Sequence, residues 1–198
     1  MSKLEKDKET EELILSTVKN LFFKEGKFGA TTQEIADKAG VNRTLINYYF
    51  RSRDNLFQQI FKDALEREDE FRNQLITSDL PFREKIENYI DASIQKALDY
   101  PYLEAYIVSC INDGSYYQLE RDWDSLLYHF NKDFSEEIEK GNIEKMEPIQ
   151  FILNMASLTS FPLSMRPLIQ SAMNFSTEEY DRIIANRKKI IMKILFKN

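Results

Sequence analysis

Leu13, Ile14, Val18, Leu21 and Phe22 fall on one stripe of a helical period, and Gly26 follows as a residue able to close a helix in the left-handed conformation. The spacing predicts a first helix ending near Gly26. Thr31 with Glu34 reads as a capping box, Ile35, Ala36 and Ala39 share one face, and Gly40 closes a second helix after about two turns. Asn42 offers the next N-cap, and Leu45, Ile46 and Tyr49 carry a third helix to Phe50. Helices this short do not persist alone in water, so the three must clamp one another. Ser52 caps again, and Leu56, Phe57, Ile60, Phe61, Ala64, Leu65, Phe71 and Leu75 extend a helical stripe into a long fourth helix.

Further helices are expected over Pro81–Asp99, Tyr102–Asn112, Tyr116–Lys140, Glu147–Arg166 and Thr177–Phe196. The breaks between them fall at turn signals, namely Ser78-Asp79, Tyr100-Pro101, Asp113-Gly114, Gly141-Asn142 and Arg166-Pro167. Only five Gly and five Pro interrupt 198 residues. The fold class expected is all-α, with about nine helices.

The chain carries 27 Lys and Arg against 33 Asp and Glu, a formal charge of −6, with 42% hydrophobic residues, as in soluble globular proteins. The charge is unevenly placed: residues 1–55 are net +1 and residues 56–198 net −7. From Lys27 to Arg53 five cations face two anions, so a polyanion would meet the protein there. A single histidine, His129, and a single cysteine, Cys110, provide no catalytic pair and no metal-ligand spacing, and the five glycines form no phosphate-binding motif. No enzyme, metal or cofactor is expected. One cysteine and no leader-like segment point to a cytoplasmic protein. The uncharged stretch Pro148–Met165 holds too many polar residues for a membrane span and reads as a buried helix.

Within the least acidic block, TTQEIADKAGVNRTLINYYF (Thr31–Phe50) has the parts of a helix-turn-helix. Ala36 is small where two helices cross, Gly40 turns the backbone, Val41 and Ile46 fill the angle, and Asn42 restarts the chain. This leaves Arg43, Thr44, Asn47 and Tyr48 to enter a major groove.

With the lead-in from Phe22 to Thr32 and the F-x-S-R-x-x-L segment from Phe50 to Leu56, the block resembles the TetR family of bacterial transcriptional regulators over about residues 10–57. The sequence departs from the commonest family pattern at Asn42, Thr44, Asn47 and Arg53, where Ser, Gly, Tyr and Lys are usual. The resemblance implies a helix-turn-helix DNA-binding domain over residues 1–54, joined by the long helix to a helical effector-binding and dimerisation domain over residues 55–198. It implies phosphate contacts from Thr32, Gln33, Tyr48, Tyr49 and Arg53. Arg43, Thr44 and Asn47, presented from the Asn42 cap, are the candidates for base edges: Arg pairs with guanine, Asn with adenine, and the Thr methyl meets the thymine methyl.

Tyr106, Trp123 and Phe151 are the candidate effector contacts in the aromatic body, which suits an apolar or aromatic small molecule. Phe151, Met155, Leu158, Ile184, Ile191 and Leu195 are the candidate dimer contacts on the last two helices. A homodimer would read a palindromic operator on double-stranded DNA, with half-sites about 34 Å apart. The expected function is a ligand-responsive repressor. The alternative is a helical interaction or ligand-carrying protein with a vestigial helix-turn-helix.

Overall fold

The computed structural model describes residues 3–112 and 123–197, and every regular element among them is helical. Helix α1 (Lys3–Lys19) runs into one π-helical turn (Asn20–Lys24), and Gly26 leaves it at φ +68°. Helices α2 (Thr32–Ala39) and α3 (Arg43–Phe50) follow as the sequence predicts, and α4 (Arg53–Thr77) is the long connector. At 25 residues, α4 is roughly 37 Å long.

The local signals act as read. Thr31 Oγ1 accepts from Glu34 N at 3.2 Å, and Glu34 Oε2 accepts from Thr31 N at 2.7 Å. The Thr31 N–H, and then the Thr31 hydroxyl, which donates to the same carboxylate at 2.8 Å, hold the Glu34 carboxyl below its usual range. Gly40 closes α2 at φ +67°. Asn42 Oδ1 accepts from Thr44 N at 2.9 Å, and Ser52 Oγ from Asn55 N at 3.1 Å.

The body contains α5 (Phe82–Asp99), α6 (Leu103–Asn112), α7 (Trp123–Glu139), α8 (Pro148–Ser164), α9 (Arg166–Met173), α10 (Thr177–Ala185) and α11 (Arg187–Leu195). The expected start of the seventh helix at Tyr116 lies outside the described residues. Two expectations are corrected. Arg166-Pro167 is not only a stop: proline is accommodated in the first turn of a helix, where no intrahelical N–H is required, and α9 begins there. The expected final helix is two, divided at Asn186, so Arg187, Lys188 and Lys189 sit in the first turn of α11 rather than at a helix end where the dipole would favour them.

Apolar burial forms two cores. One contains Ile14, Phe22, Ile35, Ile46, Phe50, Leu56 and Ile60 from the first four helices, and also Leu103, Tyr106 and Ile107 from α6. The other is built by α5, α7, α8, α10 and α11 around Phe82, Phe134, Phe151 and Ile184. The start of α6 is what brings that helix into the first core. Tyr102 N donates to Phe23 O at 2.9 Å, and the Tyr102 ring lies so close over Gly26 that a Cβ there would stand 3.0 Å from it. The reading unit is therefore fastened to the body at two places, through α4 and through the α5–α6 corner.

Candidate functional site

Helix α3 packs Ile46 and Phe50 inward and turns Arg43, Thr44, Asn47 and Tyr48 to solvent, with Tyr48 69% exposed. Buried apolar and exposed polar positions thus segregate as a groove-reading helix requires. Arg43 Nε donates to Thr32 Oγ1 at 3.1 Å, tying the start of α3 to the start of α2 and orienting the guanidinium. Asn42 and Asn47 are exposed, and Thr44 Oγ1 donates to Asn42 Oδ1 at 2.7 Å, so the hydroxyl serves the cap. Gln33 is exposed and its Nε2 donates to Asp37 Oδ1 at 2.7 Å.

Tyr49 and Arg53 are committed to the fold. Tyr49 is half-buried and its hydroxyl donates to Asp7 Oδ1 at 3.3 Å, tying α3 to α1. Arg53 donates from Nε to Ala30 O at 3.0 Å and from Nη2 to Phe28 O at 3.2 Å, with its guanidinium 4.0 Å from the Phe57 ring centre. It holds the loop before α2 against α4. Of the other cations in the block, Lys27 pairs with Glu25 at 3.0 Å, and Lys38 bonds the same carboxylate, whose titration these lysines lower. Arg43 and Arg51 stand exposed. The sequence reading did not anticipate the parts played by Glu25, Asp7 and Phe28, because those pairings span turns and helices.

Behind this unit the body holds a cavity of about 290 Å³ walled by α4, α5, α7 and α8. Its lining is almost wholly apolar, with Leu75, Ile76, Ile86, Phe130, Ile152 and Met155 prominent. Neither Tyr106 nor Phe151, two of the three expected effector contacts, lines it. Tyr106 is buried in the first core against Phe22 and Phe28, and it faces a different cleft, beside Arg53 and Phe57. Phe151 is wholly buried behind the cavity among Phe82, Phe134 and Phe196, while its neighbour Ile152 faces the space. The Trp123 side chain lies outside the described residues.

Four of the six dimer candidates are enclosed by their own chain. Phe151, Ile184, Ile191 and Leu195 are no more than 5% exposed and pack inside their own chain, Met155 lines the cavity, and Leu158 is partly buried against the second core. The outward apolar side chains of the same helices are Ile149, Leu153 and Phe161 on α8, Ile183 on α10, and Ile190 and Ile194 on α11, each 42–59% exposed. Among the described residues no helix is long and apolar enough to cross a membrane.

Residues 14–60 match the model of the bacterial regulatory proteins, tetR family. No curated protein matches the sequence. Solved structures do: the TetR family transcriptional regulator PfmR from Thermus thermophilus aligns with a TM-score of 0.62 at 13% identity, over 91% of this chain and 97% of that one. A TetR family regulator from Marinobacter aquaeolei gives 0.61 at 14% identity, over 98% and 99% of the two chains. A gamma-butyrolactone receptor described as ArpA-like gives 0.56 at 11% identity, over 95% and 99%. At such identities the neighbours establish a shared fold, whereas the family match falls on the helix-turn-helix itself. Residues 14–60 thus carry the helix-turn-helix of the bacterial regulatory proteins of the tetR family, and the whole chain shares the fold of solved TetR family regulators.

Proposed function

We propose that the protein represses transcription as a homodimer on a palindromic operator and leaves the DNA when a small lipophilic molecule enters the cavity behind α4. The observation that carries this reading is the double use of α4. Its first turn is fastened through Arg53 to the reading unit, and its last two turns form a wall of the cavity. A ligand that prefers one setting of α4 shifts the population of reading-helix spacings by its differential affinity for the two settings. The α5–α6 corner, fixed to Phe23 and Gly26, is a second path for the same shift.

In this reading residues 1–54 form the DNA-binding part and residues 55–198 the effector and dimer part, with α6 lying across the two. Arg43, Thr44 and Asn47 read bases, while Thr32, Gln33 and Tyr48 meet phosphates. Tyr49, Arg53 and the Asn42 cap act by positioning α3. The exposed ridge of α8, α10 and α11 is the dimer face, since six large apolar side chains this open to water need cover. The solved gamma-butyrolactone receptor shows that a chain of this fold can be a small-molecule receptor.

The test is selection of genomic fragments by the purified protein at near-physiological salt, with Arg43→Ala in parallel. A recovered two-fold motif that the variant loses or relaxes supports operator reading, because sequence-blind binding is carried by phosphates alone. Absence of any enriched motif from wild-type protein freed of bound small molecules by unfolding and refolding overturns it.

A further inference from the structure

Beside the apolar cavity lies a second, polar compartment of about 320 Å³, enclosed by α4, α5, α6 and one residue of α8. Two side chains, Arg72 of α4 and Tyr89 of α5, line both spaces and so form the partition between them. Taking the effector cavity proposed above as given, we infer that the two compartments are one site for a lipophilic carboxylate. Its hydrocarbon fills the apolar space, its carboxylate meets Arg72 and Tyr89, and a proton from solvent is taken up by Glu104.

Size comes first. A cavity of roughly 150 Å³ accommodates benzene, so 290 Å³ suits a body of about twelve heavy atoms. Charge places the headgroup. The other cation of the apolar space is satisfied: buried Lys85 donates to Ile76 O at 2.8 Å and to Asp133 Oδ2 at 2.7 Å, so it has little left for a ligand. At the partition, Arg72 gives Nη1 to Asp69 at 3.1 Å, and a guanidinium carries five N–H donors in all. A ligand carboxylate is the group that a guanidinium fork beside a phenol recognises best.

The polar compartment explains the proton. Glu104 of α6 faces Glu68, Arg67 and Arg72 of α4 and Tyr89 and Lys96 of α5, and Lys96 is already bonded to Glu68. Burial, and then the Glu68 charge, push the Glu104 carboxyl up to about 7, while Lys96 and Arg72 hold it down. A second anion on Arg72 weakens that restraint and adds a like charge, so the occupied site favours the neutral Glu104 carboxyl. Below pH 7 that proton is largely in place before the ligand arrives; above it, each binding event must draw one from water.

Calorimetric titration of the full chain with decanoate, decanol and decylamine tests this. At pH 6.5 decanoate should bind at least tenfold more tightly than the other two. Arg72→Gln should erase the preference while leaving decanol unchanged, and Tyr89→Phe, which keeps every charge, should weaken decanoate alone by several-fold. Above pH 7 the decanoate affinity of the wild type should fall, approaching tenfold per pH unit, whereas Glu104→Gln should hold it level. Ala156→Phe, which fills the apolar space, should stop all three ligands. Decanol or decylamine binding as tightly as decanoate, or a preference that survives both Arg72→Gln and Tyr89→Phe, overturns the carboxylate site and leaves the cavity standing if Ala156→Phe still blocks. A flat pH profile in the wild type overturns the proton. Failure of all three ligands to bind, or binding indifferent to Ala156→Phe, removes the cavity reading as well.

Discussion

Arg53 and Arg43 are both cations of the reading unit, and their surroundings give them different work. Arg53 spends two N–H groups on the carbonyls of Ala30 and Phe28, and alanine in its place would leave those carbonyls without their partner and strip the cover from Phe57. Arg53→Ala should therefore lower thermal stability, by about 1–3 kcal/mol, before any effect on DNA is considered. Arg43→Ala should leave the melting temperature nearly unchanged and cost about 1–3 kcal/mol of base discrimination. Paired melting curves and operator titrations separate the two. Glu104 gives a pH-dependent counterpart. Its carboxyl titrates at about 7 in the folded chain against 4.5 as the ordinary value, so folding favours its protonated form. The stability linked to it is whole below about pH 4.5 and is lost as pH rises through 7. Glu104→Gln cannot ionise, so the variant should gain on the wild type across that interval and level off above pH 7, by ~1–2 kcal/mol once residual solvent access is allowed for. Denaturant melts at pH 5 and pH 8 measure the gap.

At the scale of an element, α8 shows how one residue type recruits another from a distant helix. Pro162 lies inside α8, has no N–H to offer Leu158 O, and crowds that carbonyl with its ring. Arg187, from the first turn of α11, supplies the missing donor: its Nη2 reaches Leu158 O at 3.0 Å. Tyr180 completes the repair, donating its hydroxyl to Pro162 O at 2.7 Å. Arg187→Met should cost about 1–3 kcal/mol in the wild type and measurably less in a Pro162→Ala background, where the backbone N–H restored by the substitution can take over. A double-mutant cycle in denaturant, with no coupling between the positions, would contradict this account. Helices α10 and α11 show why three of the dimer candidates are enclosed. On α10 and α11 the apolar stripe is wide enough that neighbours diverge: Ile184, Ile191 and Leu195 go inward, while Ile183, Ile190 and Ile194 go outward. Adjacent residues on a helix are about 100° apart, so each candidate one position along faces the other way.

At the scale of the whole molecule, the outward ridge and the reading helix belong to one functional unit if the protein works as a dimer. Leu153→Glu with Ile190→Glu should leave each chain folded, since both side chains are exposed, and should convert the dimer to a monomer in sedimentation. Operator affinity should fall with it, because a single chain engages one half-site. A dimer that survives both charges would move the interface elsewhere. The first three helices, their caps and the long connector were legible in the sequence because the signals are local: a capping box, an Asn cap, two glycines and a 3.6-residue stripe lie within a turn or two of what they determine. The exposed set Arg43, Thr44, Asn47 and Tyr48 was legible for the same reason, since a short helix with one apolar face leaves only one other. Which basic residues remain exposed, which aromatic residues face a cavity and which half of a broad apolar stripe turns outward were decided only by the tertiary structure. Each depends on partners far along the chain, such as Phe28 and Ala30 for Arg53, Asp7 for Tyr49, and Phe82 and Phe196 for Phe151. Periodicity states that a face is apolar; only packing against a distant neighbour selects which side chains on it are enclosed and which are left for a ligand or a second chain.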